Sequence, residues 1–346
     1  MKTRVIVVNP KKPQIKKIEQ CVSILRKGGL VAFPTETVYG LGADGLNPKA
    51  IKKIFQAKNR PSDNPLIFHI SNKKDVKKYT KDIPATAEKL IEKFWPGPLT
   101  LILKKSSIIP KIATGGLNTI AIRMPSHKIA LSLINSLGNP IVAPSANLFG
   151  KPSPTLAKHV LSDLDGKIDA VIDGRNSVIG IESTILDLTT KTPTILRPGK
   201  ISYEELKNLL KKVKYHPSLL GKKSKLLKVK SPGMKYKHYS PNAKIILIEG
   251  NTKNTQKKID ELIKKFQQQK KLIGIINNKN IKKTPFVKFK FIGTTKNLIA
   301  SNLYKSFREL DDQKVDVIIM KEVDTSNLGF AIMNRLRKAA SEIISA

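Results

Sequence analysis

Apolar residues recur along this chain at two alternating spacings, one typical of helices and the other of strands. Between residues 15 and 25 they follow at three- and four-residue intervals, which predicts an amphipathic helix that ends at Gly28-Gly29. The short apolar run at 30–33 predicts a buried strand. Asn47-Pro48 has the form of a helix N-cap followed by a first-turn proline, and this helix would end at Lys58.

Other segments alternate strictly, so each predicted strand has two different faces. Ile67 and His69 share one face of one such strand. Thr119, Ala121 and Arg123 share one face of another, opposite three apolar side chains. Further strands are predicted at 99–103, 141–143, 170–172, 183–188 and 194–196. With helices between them, these strands predict a twisted, mixed-sheet α/β domain.

The composition of the chain changes at about residue 211. Ser202 and Glu205 predict a capping box for a helix that reaches about Lys214, but lysine then alternates with proline, serine and glycine, as in a linker. Later strands at 245–248, 272–276, 289–292 and 315–320 alternate with helices near 255–269, 298–310 and from 331. We therefore expect a first domain at 1–210, a linker at 211–242 and a small Rossmann-like domain with a parallel sheet at 243–346.

Composition limits the classes of protein to which the chain could belong. A length of 346 residues allows two domains, and no apolar run reaches the roughly 18 residues of a membrane span. The single cysteine, Cys21, cannot form an internal disulfide, so the expected compartment is the cytoplasm.

The formal net charge of +38 makes a basic RNA-binding protein without catalysis the alternative interpretation. However, only nine of the 64 basic residues are arginine, the residue that nucleic-acid surfaces favour. The lysine excess therefore favours a compositionally biased surface, with weak electrostatic binding to RNA.

Residues 40–45 match the dinucleotide fingerprint, but their context does not suit a nicotinamide enzyme. The fingerprint needs a strand directly before its first glycine, and here the predicted strand ends earlier, at Pro34. A turn with positive φ explains these glycines more simply. The chain also lacks a G-x-x-x-x-G-K-[ST] phosphate loop, and its five histidines have no metal-ligand spacing.

Hydroxyl and amide groups follow two of the predicted strands. Thr35 and Thr37 flank Glu36 just past a strand end, where α/β proteins build sites, although a helix cap or a turn would explain them equally well. Ser145 and Asn147 follow another short strand, among small residues that let backbone amides approach a ligand. Each stretch is weak evidence alone.

Cationic residues lie beside the same predicted strands. Lys58 and Arg60 border a loop, residues 60–65, that two prolines make rigid, so its polar groups are held in place. His69 is more often a satisfied core histidine than a ligand-binding one. Arg123 has no acid beside it in sequence, and burying an unpaired charge is costly. An anionic substrate would supply the missing partner.

Taken in order, these stretches resemble the threonylcarbamoyl-AMP synthase family, in its two-domain form with a YrdC-like catalytic domain. The resemblance covers nearly the whole chain, and it includes residues 94–100, 123–127 and 334–340 as well as His238-Tyr239-Ser240-Pro241 in the linker. Any one stretch could arise by chance, but the ordered set is specific. Asn59 departs from the family, in which glycine is frequent at this position.

The resemblance implies that L-threonine, bicarbonate or carbon dioxide, and ATP are joined into threonylcarbamoyl-adenylate with release of pyrophosphate. A separate complex would transfer the threonylcarbamoyl group to tRNA. Mg²⁺ would be the cofactor, bound through the phosphates and not by protein side chains. The family also implies a concave, basic face on the first domain and a linker that covers the active site as a gate.

Three sets of site residues follow from the same resemblance. The catalytic groups are Lys58, Arg60, Ser145 and Asn147; the threonine pocket is Thr35 or Thr37, His69, Arg123, Ala143 and Ser183; and the ATP contacts are Lys58, Arg60, Asn64, Thr119, Ser145, Ser153, Arg197 and Tyr239.

Overall fold

The computed structural model describes residues 2–221, 238–250, 252–278 and 285–346, with the backbone alone at 252 and 253. The chain divides into two compact units. The first consists of Met1–Phe149 and Ser153–Tyr236, and the second of Gly150–Pro152 and Lys237–Ala346. A short stretch within the first half of the sequence thus belongs to the second unit. Among the described residues, no helix is both long and apolar enough to cross a bilayer.

The first unit is built on one mixed sheet of eleven strands. In chain order these are β1 (Arg4–Val7), β2 (Val31–Phe33), β3 (Gly40–Asp44), β4 (Ile67–His69), β5 (Leu99–Lys104), β6 (Thr119–Arg123), β7 (Ile141–Val142), β8 (Ala170–Asp173), β9 (Thr184–Asp187), β10 (Thr194–Arg197) and β11 (Lys214–Tyr215). Their order across the sheet is β1-β8-β2-β3-β7-β4-β6-β5-β9-β10-β11, with parallel and antiparallel neighbours. The predicted mixed α/β class is confirmed.

Seven helices accompany this sheet in the described part of the first unit. They are α1 (Ile15–Arg26), α2 (Pro48–Lys58), α3 (Val76–Tyr79), α4 (Ala85–Phe94), α5 (Lys128–Leu137), α6 (Ala157–Leu164) and α7 (Tyr203–Leu210). Apolar residues of α2, α3, α4, α6 and α7 share the larger core with one face of the sheet. Those of α1 and α5 share a second core with the other face.

The second core covers only part of its sheet face. Its sheet residues come from β2, β7 and β8, from Val8 just past β1 and from Ala143 just past β7. Across β4, β6, β5, β9 and β10 the same face carries a small apolar cluster to which no helix contributes in the described residues: Ile67, Ile102, Ala121, Ile185 and Leu196. Strand register places His69 and Arg123 on this face, because they pair with each other two residues beyond Ile67 and Ala121. The predicted alternation of both strands is therefore confirmed.

The sequence-based interpretation of Gly40 and Gly42 as turn residues with positive φ was wrong. Both lie in β3, which pairs antiparallel with β2, and neither has positive φ. A Cβ added at Gly42 would lie 2.8 Å from Phe33 and 2.9 Å from Ile141. Glycine is thus required here by the close approach of side chains from both neighbouring strands, and not by backbone conformation.

The ends of two helices follow their predicted signals, with one difference. Asn47 accepts hydrogen bonds from the backbone N–H groups of residues 49 and 50, and α2 closes with Asn59 at φ 50°, a left-handed conformation that glycine and asparagine favour. Ser202 and Glu205 form the predicted capping box of α7, but the helix ends at Leu210, before the predicted Lys214. Lys211 has φ 62°, which interrupts the helix.

The stretch that follows was predicted to be linker, yet its first residues are ordered in the first unit. Strand β11 pairs parallel with β10, and Pro217–Leu220 forms a turn of 3₁₀ helix. Residues 222–237 lie outside the described residues.

The second unit contains a five-stranded sheet in which every neighbouring pair is parallel. Its elements are β12 (Lys244–Glu249), α8 (Thr252–Gln268), β13 (Ile273–Asn277), β14 (Val287–Phe291), α9 (Lys296–Asp312), β15 (Val317–Lys321), α10 (Leu328–Ala339) and β16 (Glu342–Ser345). The predicted parallel sheet is confirmed. The strand order β14-β13-β15-β12-β16 places the first strand beside the fourth and fifth, whereas in the Rossmann order it lies beside the second.

Residues 150–152 are held inside this second unit. Ser240 donates its backbone N–H to the Gly150 carbonyl at 2.9 Å, and the Arg308 guanidinium donates to the Pro152 carbonyl at 2.5 Å. Asp311 accepts from the backbone N–H groups of residues 242 and 243 and so fixes the chain just before β12.

We predict that Gly42→Ala lowers the free energy of unfolding of the first unit by about 1–3 kcal/mol, because the added methyl group overpacks the space between Phe33 and Ile141. Urea denaturation followed by the fluorescence of Trp95, the single tryptophan, measures this. Gly116→Asn is the control, since in the described chain no heavy atom lies within 4 Å of its Cβ position and asparagine tolerates its φ of 79°. Equal midpoints for Gly42→Ala and wild type would contradict the prediction.

Candidate active site

The loop after β2 is organised by two threonine hydroxyls. The Thr35 hydroxyl donates to the Val38 carbonyl at 2.6 Å and accepts from the backbone N–H groups of residues 37 and 38. It lies 2.8 Å from the Thr37 hydroxyl. Thr35 therefore does make the turn that was one of its two interpretations. Thr37 also reaches beyond the loop to Arg123.

Arg123, at the end of β6, is 3% exposed and bonds to two separate segments. Its Nε donates to the Gly97 carbonyl at 3.1 Å, its Nη1 to the Thr37 hydroxyl at 3.0 Å, and its Nη2 to Glu36 Oε1 at 2.5 Å. The expectation that Arg123 lacks an acidic partner was wrong. The partner comes from a loop 87 residues away, so adjacency in sequence could not reveal it.

His69 lies beside Arg123 on the neighbouring strand and is buried. Its Nδ1 is 3.1 Å from the Ile67 carbonyl, and its ring meets Phe33 edge-on at 6.3 Å. Burial, and then the positive charge of Arg123, lower the pKa of His69 to about 3. The imidazole is therefore neutral at physiological pH.

Lys58 connects the end of α2 to the segment that follows β7. The side chain is 1% exposed, and its ammonium donates to the Ser145 carbonyl at 2.5 Å and to the Asn147 carbonyl. Ala143 donates its N–H to the Ile67 carbonyl at 3.0 Å, which ties the start of this segment to β4. The structure thus brings together the predicted Lys-x-Arg and Ser-x-Asn groups, which are 87 residues apart in sequence.

The loop from Arg60 to Pro65 closes on its own arginine. Arg60 donates to the Asn64 carbonyl at 3.2 Å and to the Pro65 carbonyl at 3.2 Å, so the guanidinium is buried by its own loop. The Asn64 side chain is 1% exposed, and within the described chain neither atom of its amide has a hydrogen-bond partner. An unsatisfied buried amide costs roughly 1–3 kcal/mol, which a polar ligand would offset.

Two further residues of the predicted site, Ser183 and Arg197, contact each other. Arg197 donates to the carbonyl of Ser183 at 3.0 Å and to its hydroxyl at 3.1 Å, and the same hydroxyl lies 2.7 Å from that of Thr100. The Ser153 hydroxyl donates to Glu182, the residue before Ser183. Thr119 starts β6, on the face that carries Arg123.

Tyr239 belongs to the second unit. There it stacks on Tyr304 at 5.5 Å and lies under the guanidinium of Arg335, also at 5.5 Å. Its assignment as an ATP contact stays a prediction.

Backbone hydrogen bonds join the loops that carry these side chains. Residues 179 and 180 donate to the carbonyls of Glu36 and Thr37, Gly97 donates to the Met124 carbonyl, and Thr184 donates to the Pro98 carbonyl. Sequence reasoning missed the roles of Glu36, Gly97 and Thr100. The signal for Glu36 was its place between two threonines at a strand end.

The collected groups suit polar, charged ligands and not covalent catalysis. Lys58, Arg60, Arg123 and Arg197 are buried cations held by carbonyl or hydroxyl oxygens and, for Arg123, by a carboxylate, alongside neutral hydroxyls and amides. Burial raises the pKa of Cys21 to about 12, so this thiol is not a nucleophile. In the described residues, no group of three His, Cys, Asp or Glu side chains could hold a metal ion.

Comparison with known proteins identifies relatives of both units. The Sua5/YciO/YrdC family, described as telomere recombination, matches residues 23–199, and the C-terminal domain of threonylcarbamoyl-AMP synthase matches residues 201–341.

Whole-chain relatives carry the same name. Threonylcarbamoyl-AMP synthase of Pyrococcus abyssi is 48% identical over 324 residues, which cover 94% of each chain. The Bacillus subtilis protein of that name is 44% identical over 329 residues, covering 94% of this chain and 93% of its own. The crystal structure of P. abyssi Sua5 complexed with L-threonine matches with a TM-score of 0.94 and 46% identity, over 99% of this chain and 100% of that chain.

The lowered pKa of His69 predicts a pH dependence of stability. In the unfolded chain His69 binds a proton below its ordinary pKa of about 6.5, whereas in the folded protein it stays neutral down to about pH 3. The free energy of unfolding therefore falls as the pH falls from about 6.5 to about 3. From pH 7 to pH 5 the loss is about 2 kcal/mol. We expect His69→Gln to lack this component in urea denaturation at the two pH values, while above pH 7 the difference between variant and wild type stays constant. Identical slopes below pH 6.5 would contradict the prediction.

Proposed function

This chain belongs to the threonylcarbamoyl-AMP synthase family and has its nucleotidyltransferase activity, and we propose that its first unit joins L-threonine, bicarbonate or carbon dioxide, and ATP, releasing pyrophosphate. The resemblance found in the sequence is confirmed. The bond from the Lys58 ammonium to the Ser145 and Asn147 carbonyls is the observation that carries the proposal, because it unites the two polar motifs in one site.

Threonine would bind on the sheet face that α1 and α5 cover only in part, beside His69 and Arg123. Arg123 has five N–H groups, and after its three bonds one remains on each terminal nitrogen, enough for a substrate carboxylate. Neutral His69, Ala143, Ser183 and the Thr35–Thr37 loop would complete the pocket. P. abyssi Sua5, which has been crystallised with L-threonine, supports this choice of amino acid.

In the reaction, the threonine amine takes up the carboxyl group, and an oxygen of the resulting carbamate attacks the α-phosphate of ATP. Lys58 and Arg60 would offset the negative charge that develops on the phosphates, and Ser145 and Asn147 would position them. No covalent enzyme intermediate is required, in agreement with a site of cations, hydroxyls and amides.

ATP would contact Asn64, Thr119, Ser153 and Arg197 besides Lys58, Arg60 and Ser145. The unsatisfied amide of Asn64 supports its part, since a nucleotide would supply the missing hydrogen bonds. Mg²⁺ supplies further charge neutralisation when bound. A donor set of hydroxyls, amides and cations fits an ion that is held through phosphates and water and not by a protein cage.

The product would be consumed by a separate complex that transfers the threonylcarbamoyl group to tRNA, and the cytoplasm, where ATP and tRNA meet, is the compartment that we propose. Weak RNA binding would follow from the net charge of +38.

We also propose that the segment around Tyr239 contacts the nucleotide and that residues 211–242 act as a gate that excludes water from the labile carbamate.

We expect the purified protein to release pyrophosphate from ATP only when threonine and bicarbonate are both present, and without RNA. A coupled pyrophosphate assay with single omissions measures this. Release that ignores threonine, or that needs RNA, would contradict the proposal. Salt-sensitive RNA affinity without any release would favour the RNA-binding alternative.

Lys58→Ala should reduce pyrophosphate release at least about a hundredfold, because it removes a preorganised cation and the donor that binds the Ser145 and Asn147 carbonyls. Lys52→Ala, on the exposed side of the same helix, is the matched control and should keep wild-type activity. Thermal melting checks that both variants fold. Near-wild-type turnover in folded Lys58→Ala would remove the assigned role.

A further inference from the structure

Glu36 is a buried carboxylate with one oxygen engaged and one unused. Oε1 forms the 2.5 Å ion pair with Arg123, and the residue is only 8% exposed. Oε2 is shielded from solvent and has no hydrogen-bond partner in the described part of the chain. A buried acceptor without a donor costs free energy, so this oxygen is suited to a ligand that brings an N–H group.

The charges around Glu36 match one kind of ligand. Arg123 carries one positive charge, Glu36 one negative charge, and His69 is neutral because of its lowered pKa. A free amino acid is a zwitterion with the same two charges. If Arg123 alone received the carboxylate, the substrate ammonium would be buried without a counter-charge, which is costly.

We propose that Glu36 is a catalytic residue that binds the ammonium group of the substrate amino acid and accepts its proton. This inference rests on the proposed threonine site at Arg123. It assigns to Oε2 the donor that the structure leaves open, while Oε1 stays with the guanidinium. The threonine carboxylate and ammonium then lie against the two members of one ion pair.

The proton transfer makes the amine a nucleophile. One N–H bond of the ammonium breaks and an O–H bond forms on Oε2, which leaves a neutral amine and a protonated Glu36. The nitrogen lone pair then forms the N–C bond to carbon dioxide, and a second proton leaves to water as the carbamate forms. With bicarbonate as the reactant, a C–O bond of bicarbonate breaks, and the second amine proton leaves with that hydroxide as one water molecule, so no separate proton is released.

Other groups around Glu36 do not take over this task. His127, which caps the start of α5, has a pKa lowered by burial, against which the charge of Glu36 acts. Its Nδ1 accepts from the backbone N–H of Ile129. From the loop that packs on residues 36–37, Glu182 accepts from the Ser153 hydroxyl. The hydroxyl of the next residue, Thr37, accepts from Arg123.

The test is Glu36→Gln, which keeps the shape of the side chain and removes the charge. At pH 7 we expect the KM for threonine to rise about tenfold or more and kcat to fall about 10²- to 10⁴-fold. The kcat deficit should shrink steadily as pH rises, because at alkaline pH the substrate amine is deprotonated without help. Glu36→Asp should recover part of kcat, and Glu88→Gln, an exposed acid on α4, should match wild type.

A binding measurement separates this role from a structural one. Calorimetry should show that wild type prefers threonine over 2,3-dihydroxybutanoate, which has a hydroxyl in place of the ammonium, and that Glu36→Gln loses this preference while its affinity for an ATP analogue is unchanged. A preserved preference, or a pH profile parallel to wild type, would overturn the inference. If wild type released no pyrophosphate with threonine and bicarbonate, the proposed function itself would fail instead.

Discussion

A positive charge can be buried only where several acceptors meet, and this requirement organises the first unit. Lys58, Arg60, Arg123 and Arg197 each gather oxygens, three of them from segments distant in sequence. Arg123 alone fixes Gly97 and the loop at 36–37 around one guanidinium. These cations therefore hold the loops in place as well as supplying charge to ligands, and the architecture of the site cannot be separated from its electrostatics.

The site also requires an open surface, and the partly covered face of the sheet provides it. Helices α1 and α5 cover one part of the face, where glycines in β3 allow Phe33 and Ile141 to approach each other. Within the described ranges, the remaining strands of that face carry a small apolar cluster without a covering helix, and His69 and Arg123 lie beside it. A surface of this kind can bury the apolar part of a small substrate while strand ends and loops supply its polar partners.

Much of this arrangement could be predicted from periodicity. Alternation placed His69 with Ile67 on one face of β4 and Arg123 with Ala121 on one face of β6, and helix caps located α2 and α7. That His69 and Arg123 lie on the same face of the sheet is shown by the strand register. The partner of Arg123 could not be predicted, because Glu36 is brought to it by sheet topology and not by adjacency. The glycines of β3 were misinterpreted for a related reason: their need for space depends on neighbours from other strands. The assignment of Tyr239 as an ATP contact came from the family resemblance, because the residues around it give no pattern from which that role could be predicted.

The chain does not allot its sequence to the two units in simple succession. Residues 150–152 lie between Asn147 and Ser153, yet their carbonyl groups receive donors from Ser240 and Arg308. A chain truncated before residue 238 would leave these acceptors bare, only a few positions from two residues assigned to ligand binding. A single cut in the sequence therefore cannot separate the two units, because residues 150–152 of the second unit lie between two segments of the first.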